Sequence, residues 1–292
     1  MFRRRQRSSQ AESHDGFVLS FLDVRSFTAK PLSSALTPFV KSFHYHEADF
    51  PFTLERIMPN GQAHLMVNLA EDEFRTYGEA RAEEVCEHSG AVVAGPYAQS
   101  VVIDTRAQRW LAAVEFRHGG ASRFFAMPMT EVSNQIVQVQ DVWRSDGTLL
   151  RERLLDARTP ESRFSVFEEV LLDHLRPSFD PAIQYALSAL RAGAPVSEVA
   201  RRLGFSRRTL ERRFSSQVGL GPKQFARVQR LQRVLRAVRR SSKPEWCALA
   251  AEHGYTDQAH LIHDFQDLAG IRPSEYKPHS PQRNNHVPIV AL

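Results

Sequence analysis

An internal repeat most constrains what this chain can fold into. Residues 196–206, VSEVARRLGFS, align with residues 246–256, WCALAAEHGYT, at an offset of 50. Val196, Val199, Ala200 and Leu203 take the places of Trp246, Leu249, Ala250 and His253. These positions are i, i+3, i+4 and i+7, the inward stripe of an amphipathic helix. Gly204-Phe205 matches Gly254-Tyr255. After one inserted residue, Leu210 and Phe214 match Leu261 and Phe265, and GLGPKQF (219–225) matches GIRPSEY (270–276). A repeat of this kind declares a reused structural unit.

Each copy reads as a helix, a tight turn and a second helix. The small Ala200 and Ala250 let the two helices approach closely, and Gly204 and Gly254 supply the left-handed backbone that ends the first helix. Ser206 suits the N-cap of the second helix in one copy, and Thr256 or Asp257 in the other. The pattern predicts two helix-turn-helix units, 196–218 and 245–268, each with a second helix suited to a DNA major groove. A linker helix over 222–240 joins them, with Pro222 in its first turn and Val228, Leu231, Leu235 and Val238 as its apolar stripe. Its length of about 28 Å compares with roughly 34 Å between successive major grooves on one duplex face.

The outward faces suggest the partner. With Leu210 and Phe214 turned in, Arg207, Arg208, Thr209, Glu211 and Arg212 form the outward face of the first unit. Arginine reads guanine through paired hydrogen bonds to O6 and N7. The same face of the second unit carries Gln258, Ala259, His260 and His263. His253 takes the core slot of Leu203, whereas His263 takes that of Arg212, so binding is expected to tighten on acidification if His263 meets phosphate. A zinc site from His260, His263 and Asp267 is the weaker reading, because the usual ligand clusters are missing. Charge divides the chain in the same way. Residues 1–180 hold 20 Lys and Arg against 25 Asp and Glu, while residues 181–280 hold 17 against 8. A basic module fused to a mildly acidic one points to a polyanion, here double-stranded DNA.

The motifs AxxxGFS and GxxPxxF, then AxxxGY, DQAHLxxxF and GxxPSEY, make residues 181–278 resemble the DNA-binding domain of AraC/XylS-type bacterial transcription regulators. That resemblance implies base reading by Arg208, Glu211 and Arg212 in one unit and by Gln258, Ala259, His260 and His263 in the other. The family often carries Arg or Lys at the place of His263, so this contact departs from the pattern. The resemblance also implies an N-terminal effector or dimerisation domain, a small-molecule effector, a homodimer, and RNA polymerase as partner if the protein activates transcription. It implies no cofactor and no enzymatic activity.

The first part of the chain reads as short strands over 17–24, 52–58, 63–70, 100–105 and 110–117, bounded by Pro, Gly and Asn. Pro59-Asn60-Gly61 signals a hairpin between two of them. Helical spacing follows over 121–127, 149–156 and 164–175, where Phe164, Phe167, Leu171 and Leu175 align. The expected fold is therefore an α+β, β-rich sensor-like domain ending in helices (15–178), then an all-α DNA-binding domain (181–278), with disordered tails over 1–14 and 279–292. No apolar run approaches the roughly 20 residues of a membrane span. Cys86 and Cys247 form no CxxC pair, which fits a reducing cytoplasm.

Rival readings rest on the first domain. His44 and His46 share a strand face in FHYHE, and His64 could join them in a metal site, which would make this half a metal-binding enzyme domain. Surface or pocket histidines are the plainer reading. Trp110, Phe116, Phe124 and Phe125 line a ligand pocket or simply form core. FRHGG (116–120) cradles an anion through free backbone N–H groups or merely releases a strand into a helix. A third possibility is a constitutive DNA binder whose first domain only dimerises.

Overall fold

The computed structural model describes residues 25–78, 85–177, 180–240, 244–278 and 283–289. The strand expected over 17–24 and the tail over 1–14 lie outside them. The first domain contains β1 (Arg25–Ala29), β2 (Val40–Glu47), β3 (Leu54–Ile57), β4 (His64–Asn68), β5 (Glu73–Tyr77), β6 (Val85–Ser89), β7 (Ala91–Ala94), β8 (Val101–Asp104), β9 (Trp110–Phe116) and β10 (Ile136–Gln138). Helices α1 (Val139–Trp143), α2 (Ser145–Asp156) and α3 (Pro160–Asp173) follow. The strands form two sheets, one in the order β1-β2-β9-β4-β7-β10 and the other built around β3-β8-β5-β6.

Residue alternation along the strands explains the layering. On β9, Ala112, Val114 and Phe116 join the core beneath α2 and α3, while Leu111 and Ala113 face the second sheet. On β4, Leu65 and Val67 take the first face and Met66 the second, and on β7 Val93 and Val92 divide likewise. The result is helices on a sheet on a sheet. Phe43 stacks on Phe164 and Phe167 of α3, with centroids 5.9 and 6.0 Å apart. Phe116, Phe124 and Phe125 are buried and Trp110 donates to the Tyr45 hydroxyl at 2.7 Å, so these aromatics are core. The short helix expected over 121–127 is a single 3-10 turn, Ala121–Arg123.

The sequence signal at Pro59-Asn60-Gly61 misleads about pairing. It is a turn, and Gly61 adopts φ 71°, but β3 and β4 lie in different sheets and do not form a hairpin. Instead Asn60 and Gly61 meet the second domain. The Asn60 carbonyl accepts from Gln229 at 2.9 Å, and a Cβ on Gly61 would lie 3.5 Å from Leu220 and Phe225.

The second domain comprises α4 (Pro181–Arg191), α5 (Val196–Arg202), α6 (Arg207–Val218), α7 (Pro222–Val238), α8 (Trp246–Glu252) and α9 (Gln258–Ala269). Its core includes Leu187, Ala200, Phe214, Phe225, Leu231, Ala250 and Phe265. The repeat thus becomes two helix pairs, α5–α6 and α8–α9, on either side of α7. The tail expected over 279–292 is corrected in part. Strand β11 (His286–Ile289) returns to the first domain and pairs antiparallel with the whole of β3. Val287 is buried there, and the Asn285 carbonyl accepts from Met58 N–H at 2.7 Å.

Candidate nucleic-acid interface

Helices α6 and α9 have 12 residues each, and their ends are built alike. Ser206 Oγ accepts from Thr209 N–H at 3.1 Å, and Asp257 Oδ1 accepts from His260 N–H at 2.7 Å. Asp257, rather than Thr256, is therefore the cap. Both helices stop at a left-handed glycine, Gly219 with φ 88° and Gly270 with φ 66°. The turns ahead of them use Gly204 at φ 66° and Gly254 at φ 75°. Ala200, Leu210, Phe214, Ala250, Leu261 and Phe265 are all buried, as the repeat requires.

The opposite faces are open. Arg207, Arg208, Glu211 and Arg212 are exposed, as are Gln258, Ala259, His260 and His263. Thr209 is half-buried, and its hydroxyl pairs with Ser206 at 2.9 Å. His260 packs edge-on against Tyr255, 5.2 Å between centroids, which fixes its ring near the start of α9. His253 is half-buried on the inner side. Among the described residues no group of three or more His, Cys, Asp or Glu is arranged to hold a metal. His44 instead bonds Ser42 at 2.8 Å and lies 3.4 Å from Glu115.

Two arginines counted as basic surface have a different task. Asp264 on α9, 3% exposed, accepts from Arg227 Nε at 2.7 Å and from Arg230 at 3.2 Å. Arg227 also reaches Asp267 at 2.5 Å, and Arg230 lies 4.3 Å over the Tyr255 ring while donating to the Gly254 carbonyl. The charges of α7 thus fix the second helix pair. The first pair has a parallel device, Arg213 bonded to Asp180 at 2.6 Å and lying over Phe205. Sequence reading missed Asp264. Its only available signal was an acid on the inward side of an amphipathic helix facing an arginine-rich one.

The first domain holds both helices by their C-terminal ends. In the segment 95–100, Pro96 abuts Gly219, where a Cβ would lie 2.4 Å from the proline Cγ. In the same segment Ser100 donates its N–H to the Leu268 carbonyl at 2.8 Å and its hydroxyl to the Ala269 carbonyl at 2.9 Å. These are carbonyls left without helical partners at the end of α9. FRHGG is likewise an interdomain contact. A Cβ on Gly119 would sit 3.2 Å from Leu187, and His118 Nε2 lies 3.0 Å from the Asn60 carbonyl.

Burial pushes His118 down to about 4 even though the Asn60 carbonyl pulls the other way. Burial, then Arg283, pushes His46 to about 4 as well. Both are neutral in the fold, whereas in the unfolded chain they bind a proton below ~6.5. Their contribution is therefore complete above that value and is lost as pH falls toward 4. Stability is expected to drop between pH 7.5 and pH 5, by on the order of 1 kcal/mol per histidine after screening, and to be read as a lower urea midpoint. His118→Gln should flatten that dependence, and an unchanged slope in the variant would contradict the assignment.

A family model described as a helix-turn-helix domain matches residues 199–279. A Streptomyces antibioticus protein described as an AraC-like transcription regulator is 32% identical over 104 residues, 34% of this chain and 34% of that protein. The chain carries a helix-turn-helix domain. That domain contains both helix pairs and α7. The chain spans about a third of the length of this curated relative. Residues 30–138 match a second model, a domain of unknown function designated DUF6597. Solved structures of ToxT from Vibrio cholerae are also similar. One is 10% identical, covering 88% of this chain and 97% of that one, with a TM-score of 0.42. Another, with unsaturated fatty acid bound, is 10% identical, covering 88% and 95%, with a TM-score of 0.35. These overlaps are too loose to bear on what this chain binds. Among its described residues, no helix is long and apolar enough to cross a membrane.

Proposed function

We propose that this protein is a sequence-specific DNA-binding transcription regulator of the AraC type. Each helix pair is a helix-turn-helix unit, and α6 and α9 enter successive major grooves of one duplex. The observation that carries this reading is the matched pair of open faces, Arg208/Arg212 and Gln258/His263, on helices with equivalent caps and matching inward residues. The 17-residue α7 spans about 26 Å, suited to set two readers roughly one duplex turn apart. The first domain gates this reading through its grip on both helix ends, in response to a small molecule or to dimer contact.

Site selection from random duplexes supplies the operator for the test. Arg212→Ala is expected to weaken binding at that operator by about 1–3 kcal/mol and to relax base choice at one position. Equal loss on random DNA would reduce Arg212 to a phosphate contact. Affinity of the native protein should fall steeply with salt as counterions are released.

A further inference from the structure

Helix α9 carries one side chain whose hydrogen-bonding character the fold settles before any partner arrives. His260 is the third residue of that helix, and the first turn of a recognition helix is the part that reaches base edges. The residue is exposed, yet its ring is held on two sides. It stands edge-on to Tyr255, which is 6% exposed and carries the Arg230 guanidinium 4.3 Å over its own ring. His260 Nδ1 lies 3.3 Å from the Thr256 backbone nitrogen and 3.3 Å from the Thr256 hydroxyl. A hydroxyl can donate or accept, but a backbone N–H only donates, so Nδ1 is the acceptor. A neutral imidazole has one acceptor nitrogen and one N–H, and the bond made by the first fixes the second. The ring proton is therefore on Nε2, and the ring offers a duplex a donor and no further acceptor. Aligning the two helix caps, Ser206 and Asp257, makes Thr256 the residue that the second copy of the repeat has in addition. In the first copy the side chain matching His260 is Thr209, whose hydroxyl turns back to Ser206 at 2.9 Å.

We propose that His260 selects a guanine in the half-site of α9, its Nε2–H donating to the base edge in the major groove. Guanine presents two neighbouring acceptors there, N7 and O6. Thymine presents one, O4, beside its methyl group. Adenine presents N7 beside an amino group that itself donates, and cytosine presents only a donor. A ring locked as a donor thus favours guanine and disfavours cytosine most. The choice of base rests on the regulator reading above; the state of the ring does not.

Both parts are measured on the full-length protein. Heteronuclear NMR of the imidazole nitrogens at pH 8, with His260 assigned from the signal missing in His260→Gln, should show the Nε2–H form. Thr256→Val removes the hydroxyl and keeps the backbone donor, so it should leave that form unchanged. The Nδ1–H form, or an even mixture, overturns the proposal. Site selection from random duplexes then reads the base. His260→Ala should lose a guanine preference at one position, weaken binding to that guanine roughly three- to tenfold, and keep the other positions. His260→Gln should move the preference at that position toward adenine, whose N6 and N7 a carboxamide meets with two bonds. Melting temperatures close to the native one in these variants separate lost reading from misfolding. A uniform loss on all sequences would make His260 a phosphate contact and overturn the proposal, as would a lost preference for any base other than guanine. If the native protein selects no sequence at all, the regulator reading falls and the guanine contact with it, while the spectra still decide the state of the ring.

Discussion

A chain ending at Pro278 is expected to lose roughly 3–5 kcal/mol of stability. Strand β11 covers the outer edge of β3, and without it Leu54–Ile57 lose their partner on that edge and keep only β8 on the other. The larger effect lies at Glu55, whose side chain is fully buried. Its carboxylate meets His286 Nδ1 at 2.8 Å and Gln108 Nε2 at 3.1 Å, with Arg283 at 4.0 Å. Against the upward push of burial, His286, then Arg283 and Gln108, hold the acid down at about 2. Truncation leaves it only Gln108. The loss should appear as a lower urea midpoint at pH 7.5. His286→Ala alone should account for much of it, and adding Glu55→Gln should restore part, because a neutral amide is cheaper to leave buried than a lone carboxylate. A truncated chain that unfolds at the native midpoint would contradict this account. Asn285 also accepts from Gln232 of α7 at 3.0 Å, so truncation should loosen the two domains as well.

Asp264→Ala is the second large effect, about 3 kcal/mol. The substitution leaves Arg227 and Arg230, both partly buried, facing one another with no buried acid between them. Exposure of the two guanidiniums keeps the figure at the lower end of what a broken buried pair costs. Asp264→Asn should fall between, since one amide oxygen still accepts a hydrogen bond. The readout has two parts. Chemical unfolding should show the lost stability. Operator binding should weaken more than binding to random DNA, because the second helix pair no longer holds its angle to α7 while its exposed side chains are untouched. Equal weakening on both kinds of DNA would mean that Asp264 supports only the general stability of the domain.

The helical domain was legible because its information is local. Period 3.6 placed Leu210 and Phe214 inside, and paired glycines marked both turns. The outward faces then followed by subtraction. What could not be read was which elements meet. Pro59-Asn60-Gly61 specifies a turn, but nothing within three residues says that the flanking strands enter different sheets; that choice belongs to the burial of Leu65 and Val67 against α2 and α3. Strand β11 carries a proline and follows an Asn-rich stretch, and its partner lies about 230 residues earlier, so composition pointed to a tail. Asp264 resembled any acid on a soluble helix until Arg227 and Arg230 were found against it. Lys41, Arg117, Arg191, Arg236 and Arg239 come from separate segments, and only the packed fold brings them around one cavity.

The segment 95–100 touches the far ends of both α6 and α9. On the proposed regulator function, a signal arriving there would act on two half-sites in one stroke rather than one after the other. Operators with altered spacing between their halves should therefore lose response to the signal together with affinity, whereas a base change within a single half should lower affinity and leave the size of the response intact.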